Sequence, residues 1–219
     1  MRVLITGGAG FIGSNLAKYL LDKGYEVVIL DNLYSGFMKN IKDLDVEFIR
    51  GDIRYAPPLL DACKRVDTIC HLAAISVVPA SFMNPRETFD INLYGTLNVL
   101  ETAVKANVRK VIFPSSASVY GKGSKEPVRE NQVGVPLSPY AITKLGMEHL
   151  LKMFAREHGL DTCSLRLFNV YGPNQDPDSG VAIPNFMAKA LANQPITIHG
   201  DGSQTRDYIY VEDIARAFE

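Results

Sequence analysis

Tyr140 and Lys144 stand four residues apart in the run Pro139-Tyr140-Ala141-Ile142-Thr143-Lys144. At helical spacing both side chains lie on one face. An ammonium group beside a phenol favours the phenolate and draws its pKa down from about 10 toward working pH. A tyrosinate is then a usable general base. Upstream, Ser115-Ser116-Ala117-Ser118-Val119-Tyr120-Gly121 closes an apolar, strand-like segment, and the Ser116 hydroxyl is suited to orient a substrate oxygen rather than attack it. An isolated Tyr-x-x-x-Lys is more often an aromatic ring packed under a lysine stem. A second motif shifts that balance.

The run Thr6-Gly7-Gly8-Ala9-Gly10-Phe11-Ile12-Gly13 follows the apolar Val3-Leu4-Ile5 and precedes a helical pattern from Ser14 to Leu21. A strand ending in glycines turns tightly, brings its backbone close to a pyrophosphate and starts a helix whose unpaired N–H groups face the anion. Gly7, Gly10, Phe11, Ile12 and Gly13 are the candidate cradle. Glycine runs also occur in ordinary turns. Here a second apolar run, Glu26 to Leu30, ends at Asp31, 18 residues beyond Gly13. A carboxylate at that place accepts hydrogen bonds from ribose hydroxyls and repels a 2′-phosphate, which favours NAD over NADP. The competing role for Asp31 is to cap the turn it forms with Asn32.

The elements that must position these groups alternate along the chain. Strand-like runs recur at 2–6, 26–30, 46–49, 66–71, 109–115 and 161–167, separated by segments of helical period. That alternation predicts an α/β fold, a doubly wound parallel sheet with helices on both faces. In such a sheet the strand C-termini share one crevice, which would bring Gly7, Ser116 and Tyr140 together. The segment 85–106 carries Phe89, Leu93, Leu97 and Leu100 at helical steps, an apolar stripe expected to face the core. A second helix is expected over 139–158, with Ser138 as N-cap, Pro139 in its first turn and Gly159 at its end. From Tyr171 to Gly180 the chain becomes rich in turn residues, which places a boundary near 170. Residues 1–170 read as a dinucleotide-binding domain and 171–219 as a partial substrate-binding region. The chain ends within a helical pattern that begins near Val211, as expected of a segment of a longer protein.

The composition excludes several classes. With 23 basic and 24 acidic residues there is no positive stripe to hold a nucleic-acid backbone. No apolar stretch is long enough to span a bilayer, and no Asn-x-Ser/Thr acceptor occurs. A soluble, cytoplasmic protein without nucleic-acid or membrane partners is expected. Cys63, Cys70 and Cys163 lack paired spacing and read as reduced core residues. His71, His149, His158 and His199 are scattered without ligand spacing, so no metal is expected.

Taken together, the chain resembles the extended short-chain dehydrogenase/reductases that act on nucleotide sugars, the NAD-dependent epimerase/dehydratase family, and among them the UDP-glucose 4-epimerases. The likeness runs from the glycine motif through Asp31-Asn32, Gly51-Asp52-Ile53-Arg54, His71-Leu72-Ala73-Ala74, Ser116 to Gly121, Tyr140 to Lys144 and Arg166-Leu167-Phe168-Asn169. It continues through Ile183-Pro184-Asn185 to Gly200 through Tyr208. The fold it implies is Rossmann-like, with a small, discontinuous and here incomplete substrate-binding lobe.

The resemblance implies catalytic roles for Ser116, Tyr140 and Lys144, with Ser116 and Tyr140 also touching substrate. It places Asp52 and Ile53 at the adenine and Leu72, Ala73 and Ala74 along the pyrophosphate and nicotinamide ribose. Lys144 would hold ribose hydroxyls, and Asn32, Ser35, Asn92, Ser115, Tyr140 and Phe168 would add cofactor contacts. Asn169, Asn185 and Arg206 would hold the UDP portion, Arg206 through phosphate oxygens. Read from the residues alone, Arg206 and Asp207 form a surface ion pair equally well.

Two departures from the family stand out. Members that eliminate water carry acidic residues just after the catalytic Ser or Thr, where this chain has Ala117 and Ser118. Without that carboxyl group, oxidation and re-reduction at one carbon fits better than elimination. Ser76 stands where better-known epimerases carry a lysine. The implied activity is a UDP-sugar 4-epimerase with NAD, most simply interconverting UDP-glucose and UDP-galactose. UDP-N-acetylglucosamine or UDP-glucuronate epimerisation and nucleotide-sugar reduction use the same core, and a catalytically silent NAD-binding module is the alternative from another class. The resemblance also implies a homodimer built on the helices near 85–106 and 139–158.

Overall fold

The strands are short runs of Val, Ile and Leu, the pattern of a sheet covered on both faces. The computed structural model describes residues 1–123, 126–177, 180–198 and 200–219. Asp178 and Ser179 of the turn-rich stretch, and His199, lie outside the described residues. In chain order the elements are β1 (Arg2–Thr6), α1 (Phe11–Asp22), β2 (Glu26–Asp31), β3 (Glu47–Arg50), α2 (Ala56–Ala62), β4 (Thr68–His71), α3 (Val78–Met83), α4 (Pro85–Phe89) and α5 (Gly95–Lys105). They continue with β5 (Lys110–Ser116), α6 (Pro139–His158), β6 (Asp161–Leu167), β7 (Asn169–Tyr171), α7 (Ala182–Leu191), β8 (Tyr208–Tyr210) and α8 (Val211–Phe218). The six expected strands are present, with ends displaced by a residue or two, as strand ends fray.

The main sheet has the order β3-β2-β1-β4-β5-β6 and every pairing in it is parallel. This is the doubly wound order, with the crevice where the chain leaves the β1–β3 half and returns beside β1 as β4. Successive residues of β1 serve opposite faces. Leu4 joins Leu59, Val99, Leu100, Phe113, Met147 and Leu151 under α2, α5 and α6. Val3 and Ile5 join Leu16, Leu20, Cys70 and Ile112 under α1.

The second face is completed from far along the chain. β7 leaves the main sheet and pairs in parallel with β8, Val170 opposite Ile209. α8 then returns to the sheet, where Ile214, Ala215 and Phe218 are buried against α1. Ile209, Ile214, Ala215 and Phe218, grouped by sequence with a second region, thus pack in the core between the main sheet and α1, and the segment between β7 and β8 is an excursion from it.

Two expected helices are found, one with a correction. On α6 the Ser138 hydroxyl accepts the Ala141 N–H at 3.1 Å, and Gly159 ends the helix at φ 67°. The helix expected over 85–106 contains a π-helical turn, Asp90–Tyr94, between α4 and α5. Its extra residue rotates the preceding turn away from the regular stripe. Phe89, predicted to face the core, is consequently 37% exposed, while Leu93 and Leu97 are partly buried and Leu100 wholly so. Thr88, Ile91 and Asn92 take the inward positions.

Cys63 and Cys70 are buried free thiols, each pushed up to about 12 by burial, and Cys163 is free and half-buried. Among the described residues no cluster of His, Cys, Asp or Glu could hold a metal ion, and no helix is long and apolar enough to cross a membrane.

If α8 is integral to the sheet, Phe218→Ala lowers stability by about 3 kcal/mol, the usual cost of emptying a buried aromatic site. The same replacement at Met187, 60% exposed on α7, costs under about 1 kcal/mol. Urea unfolding midpoints of the two variants measure the difference.

Candidate active site

At the end of β1 the backbone passes so close to its neighbours that side chains do not fit. Gly7 has φ +71°, and a Cβ there would lie 2.7 Å from the Ala73 nitrogen. A Cβ on Gly13 would collide with the Gly7 carbonyl oxygen and lie 2.7 Å from the Gly8 Cα. Gly10 is the N-cap of α1 and no acidic residue occupies the first turn. The Phe11, Ile12 and Gly13 N–H groups therefore sit in a helix start that favours an anion. A dinucleotide pyrophosphate fits this cradle, whose tight turn a Cβ at Gly7 or Gly13 would force open by collision with neighbouring backbone.

Asp31 is buried beside it and caps the turn that follows β2. Its Oδ2 accepts the Ala9 N–H at 2.9 Å and its Oδ1 the Leu33 N–H at 2.8 Å. Each oxygen keeps a lone pair for a ribose hydroxyl. Next to it the Asn32 amide donates to Asp52 at 3.0 Å. The Arg54 guanidinium grips both Asp52 oxygens, at 3.0 and 2.7 Å, and holds that carboxyl below the usual range.

These groups open onto one cleft of about 880 Å³ at the C-terminal ends of the strands. Its wall runs from Gly7, Gly10, Phe11, Ile12 and Gly13 past Asp31, Asn32, Ser35, Asp52 and Ile53 to Leu72, Ala73 and Ala74. Ser115, Ser116, Tyr140, Lys144, Phe168, Asn169 and Arg206 close the far end. Residues 140 and 144, adjacent on α6, thus meet the strand-end serine and the glycine loop in one crevice. Arg206 donates to the Thr205 carbonyl at 2.7 Å, and among the described residues no ion pair joins it to Asp207.

Two candidates fall outside the lining. Asn185 lies beyond Pro184 on α7, where Ala182, Ile183 and Pro184 take the cleft-facing positions. Asn92 is wholly buried and its amide is spent on the protein. It accepts the Ile75 N–H at 2.8 Å and donates to the Ile75 carbonyl and the Thr143 hydroxyl, each at 3.0 Å. The π-helical turn carries it inward, where its hydrogen bonds brace the cleft wall.

Asn92 is one link in a chain of hydrogen bonds with a single direction. The Thr96 hydroxyl donates to the Asn92 carbonyl at 2.5 Å, so its oxygen must accept from His71 Nε2 at 2.9 Å. His71 Nδ1 then accepts from Thr6 Oγ1 at 2.7 Å, and that oxygen accepts the Ala73 N–H at 3.3 Å. On the other side Thr143 Oγ1 donates to the Tyr140 carbonyl at 2.8 Å. His71 is therefore the neutral Nε2–H tautomer. Burial, aided by the Lys144 charge, lowers its pKa to about 3.

The electrostatics of the Tyr140 and Lys144 pair differ from the expectation. Lys144 is 3% exposed. Its Nζ donates to the Pro114 carbonyl at 2.8 Å and sits 4.5 Å over the Phe113 ring. Burial lowers its pKa to about 7. Tyr140 is raised above the usual phenol value by burial, and the Ser116 hydroxyl is the group that opposes this. In the protein alone, Lys144 does not draw the phenol down, because its Nζ lies 5.7 Å from the Tyr140 ring and is itself poorly solvated.

Sequence reasoning missed part of the wall. Tyr171 and Tyr208 both line the cleft and meet edge-to-face with centroids 6.5 Å apart. The β7–β8 pairing brings them together; Tyr208 ends the run from Gly200 that carries the family likeness, but nothing in that run singled out its side chain. Gln175, also in the wall, donates to the Val170 carbonyl at 3.1 Å. The strap before it is tied to the first turns of α1, Asn15 donating to the Pro173 carbonyl at 2.9 Å and Asn174 to the Ser14 hydroxyl at 3.1 Å.

Comparison with known proteins matches residues 3–219 to the family model described as NAD dependent epimerase/dehydratase family. A UDP-glucose 4-epimerase of Mycolicibacterium smegmatis is 40% identical over 225 residues, covering 100% of this chain and 72% of that protein. Among solved structures, a UDP-N-acetylglucosamine 4-epimerase from Methanobrevibacter ruminantium in complex with UDP-N-acetylmuramic acid superimposes with TM-score 0.94. It is 40% identical, and the match covers 99% of this chain and 71% of that one. A Thermus thermophilus UDP-glucose 4-epimerase in complex with NAD gives TM-score 0.91 at 37% identity, over 100% of this chain and 73% of that one.

Burying Lys144 costs stability that an apolar residue would not. Its folded pKa of about 7 lies below the unfolded value of 10.5, so the cost is complete below pH 7 and fades as pH rises toward the unfolded value. Lys144→Met should stabilise the protein at pH 6 by on the order of 2 kcal/mol, with the advantage shrinking through pH 8 to 10. Thermal melts of both proteins across that range test it; a constant difference contradicts it.

Proposed function

Because the chain belongs to the NAD dependent epimerase/dehydratase family, we propose that it is an NAD-dependent nucleotide-sugar 4-epimerase, with UDP-glucose and UDP-galactose as its substrate pair. The observation that carries this is the meeting of Ser116, Tyr140 and Lys144 with the glycine cradle in one cleft. Bound NAD supplies a hydride acceptor that can return the hydride to the same carbon. The protein supplies position and proton transfer.

Tyr140, in the buried wall, takes the proton of the sugar 4′-hydroxyl and later returns it. Ser116 orients that hydroxyl and stabilises the phenolate by its hydrogen bond. Lys144, already donating to Pro114 through one N–H, has two more to offer ribose hydroxyls. The positive charge of a bound nicotinamide would favour the phenolate that burial alone opposes. Gly7 to Gly13 and Asp31 hold the pyrophosphate and the adenosine ribose, with Asp52 and Ile53 at the adenine. Asn169 and Arg206 face the UDP portion, and Asn185 is retained here as a UDP ligand only if the first turn of α7 shifts on binding. Ala117 and Ser118 provide no carboxyl group for elimination.

Residues 1–170 are taken as the cofactor domain, joined by β8 and α8, with the excursion between β7 and β8 on the substrate side. A second copy is proposed to pair through the surfaces of α4, α5 and α6, forming a cytoplasmic homodimer. The second reading, a UDP-N-acetylglucosamine epimerase, is favoured by the similarity to the Methanobrevibacter enzyme.

Incubating the protein with UDP-glucose, UDP-N-acetylglucosamine or UDP-glucuronate, without added cofactor, separates these substrates by the 4-epimer formed. Net consumption of NADH would identify a reductase instead. Tyr140→Phe should lower kcat by about 10²- to 10⁴-fold, the range for loss of a general base, with NAD affinity little changed. Unaltered turnover in that variant would refute Tyr140 as the base.

A further inference from the structure

Behind Ser116 and Tyr140 lies a buried ion pair that no step of the proposed reaction uses. Glu148 stands one four-residue step beyond Lys144 on α6, and Arg166 lies on β6; their side chains are 4% and 12% exposed. The guanidinium grips the carboxylate with two parallel bonds, Nε to Oε1 and Nη2 to Oε2, each 2.9 Å. Its Nη1 donates to the carbonyls of Glu130 and Gln132 at 3.0 and 3.1 Å. Its carbon lies 4.9 Å from the centre of the Tyr120 ring, with which it also hydrogen-bonds. Glu148 Oε1 in turn accepts the Ser115 hydroxyl at 2.5 Å. One guanidinium thereby joins β6, α6, the end of β5, the turn that follows Ser116 and the 130–132 segment.

Such a pair is weak evidence of stability, since desolvating both ions offsets their attraction and apolar replacements often do as well. Its placement has a sharper consequence. Ser115 and Ser116 are consecutive strand residues and point to opposite sides. Pinning Ser115 to Glu148 fixes the rotation of the strand end and so the direction of Ser116. Tyr140 and Glu148 share one rigid helix, so the pin also sets the distance from Ser116 to the phenol. The backbone of the following turn is equally constrained, because Gly134 leaves no room for a Cβ against the Tyr120 carbonyl.

We propose that the Glu148–Arg166 pair is a positioning device that holds the Ser116 hydroxyl in line with the Tyr140 phenol. This rests on the reading of Tyr140 as the base. Neither Glu148 nor Arg166 lines the cleft. The charged or titratable groups facing them are each other, Lys152 and Tyr120, while Tyr140 faces Lys144 and Ser116. When the pair is weakened, Ser116 drifts and the phenol loses the group that opposes its burial. A base that is harder to ionise moves the rising limb of the pH–rate profile to higher pH.

The test compares wild type, Glu148→Gln, Arg166→Lys and Ser115→Ala, with Tyr140→Phe as control, by steady-state kinetics on the NAD-loaded protein from pH 6 to 10. Glu148→Gln and Arg166→Lys should lose 10- to 100-fold in kcat with KM for the UDP-sugar changed less than threefold, and their rising limb should shift upward by at least half a pH unit. Ser115→Ala removes the pin while leaving the ion pair; because Ser115 also lines the cleft, its NAD affinity is measured alongside, and its limb should shift in the same direction by less, which keeps the test open if the ion-pair variants do not fold. A lowered melting temperature with kcat and pH profile unchanged, or an unshifted limb in Ser115→Ala, overturns the proposal. An active Tyr140→Phe protein instead overturns the assignment of the base.

Discussion

A close approach of backbone to backbone at the end of β1 governs this molecule. At the end of β1 the chain must turn, pass against Ala73 of the neighbouring strand end and begin α1 within contact of its own loop, and Gly7 and Gly13 permit it because they have no Cβ. That tight turn leaves the N–H groups of the first helical turn directed at the crevice where the strand order reverses. Everything the cleft contains is placed relative to this point. Asp31 braces the loop through Ala9, and β4 delivers Leu72 to Ala74 alongside it.

The buried polar groups around the cleft follow a common physical rule. An unpaired donor or acceptor in the interior costs about 1–3 kcal/mol, so a buried polar chain is tolerable only when complete. From Ala73 through Thr6, His71, Thr96 and Asn92 to Thr143 each hydroxyl both donates and accepts, and His71 is left one tautomer. The chain ties the ends of β1 and β4 to the starts of α5 and α6, which carry the cleft wall. Lys144 is the exception to comfortable burial, a cation over Phe113 with one backbone acceptor. Its burial costs stability that one backbone acceptor and a ring face do not fully restore.

Much of this was legible in the sequence because it is written in local periods. The six strands, the capped helix α6, the glycine turn and Asp31 are each determined by a few consecutive residues. The departures have local sequence but nonlocal causes. Phe89 belongs to a regular helical stripe on paper, yet the π-helical turn after it, stabilised by Asn92 packing against Ile75 and Thr143, rotates it outward. Asn185 and Asn92 carry suitable side chains for ligand contacts, but helix phase directs one out of the lining and hydrogen bonds consume the other.

By itself the sequence determined the doubly wound sheet, the glycine turn after β1, the acidic residue at the end of β2 and the shared helix face of Tyr140 and Lys144. Residue type and short spacing suffice for these, since strand alternation and helical rise are local. Only the tertiary structure decided the direction in which each side chain is driven. It placed Lys144 near neutrality and Tyr140 above the usual phenol value, because desolvation depends on what is packed around a group. It also brought Glu148 to Arg166, Tyr171 to Tyr208 and Phe218 to α1, contacts between distant parts of the chain that no local pattern encodes.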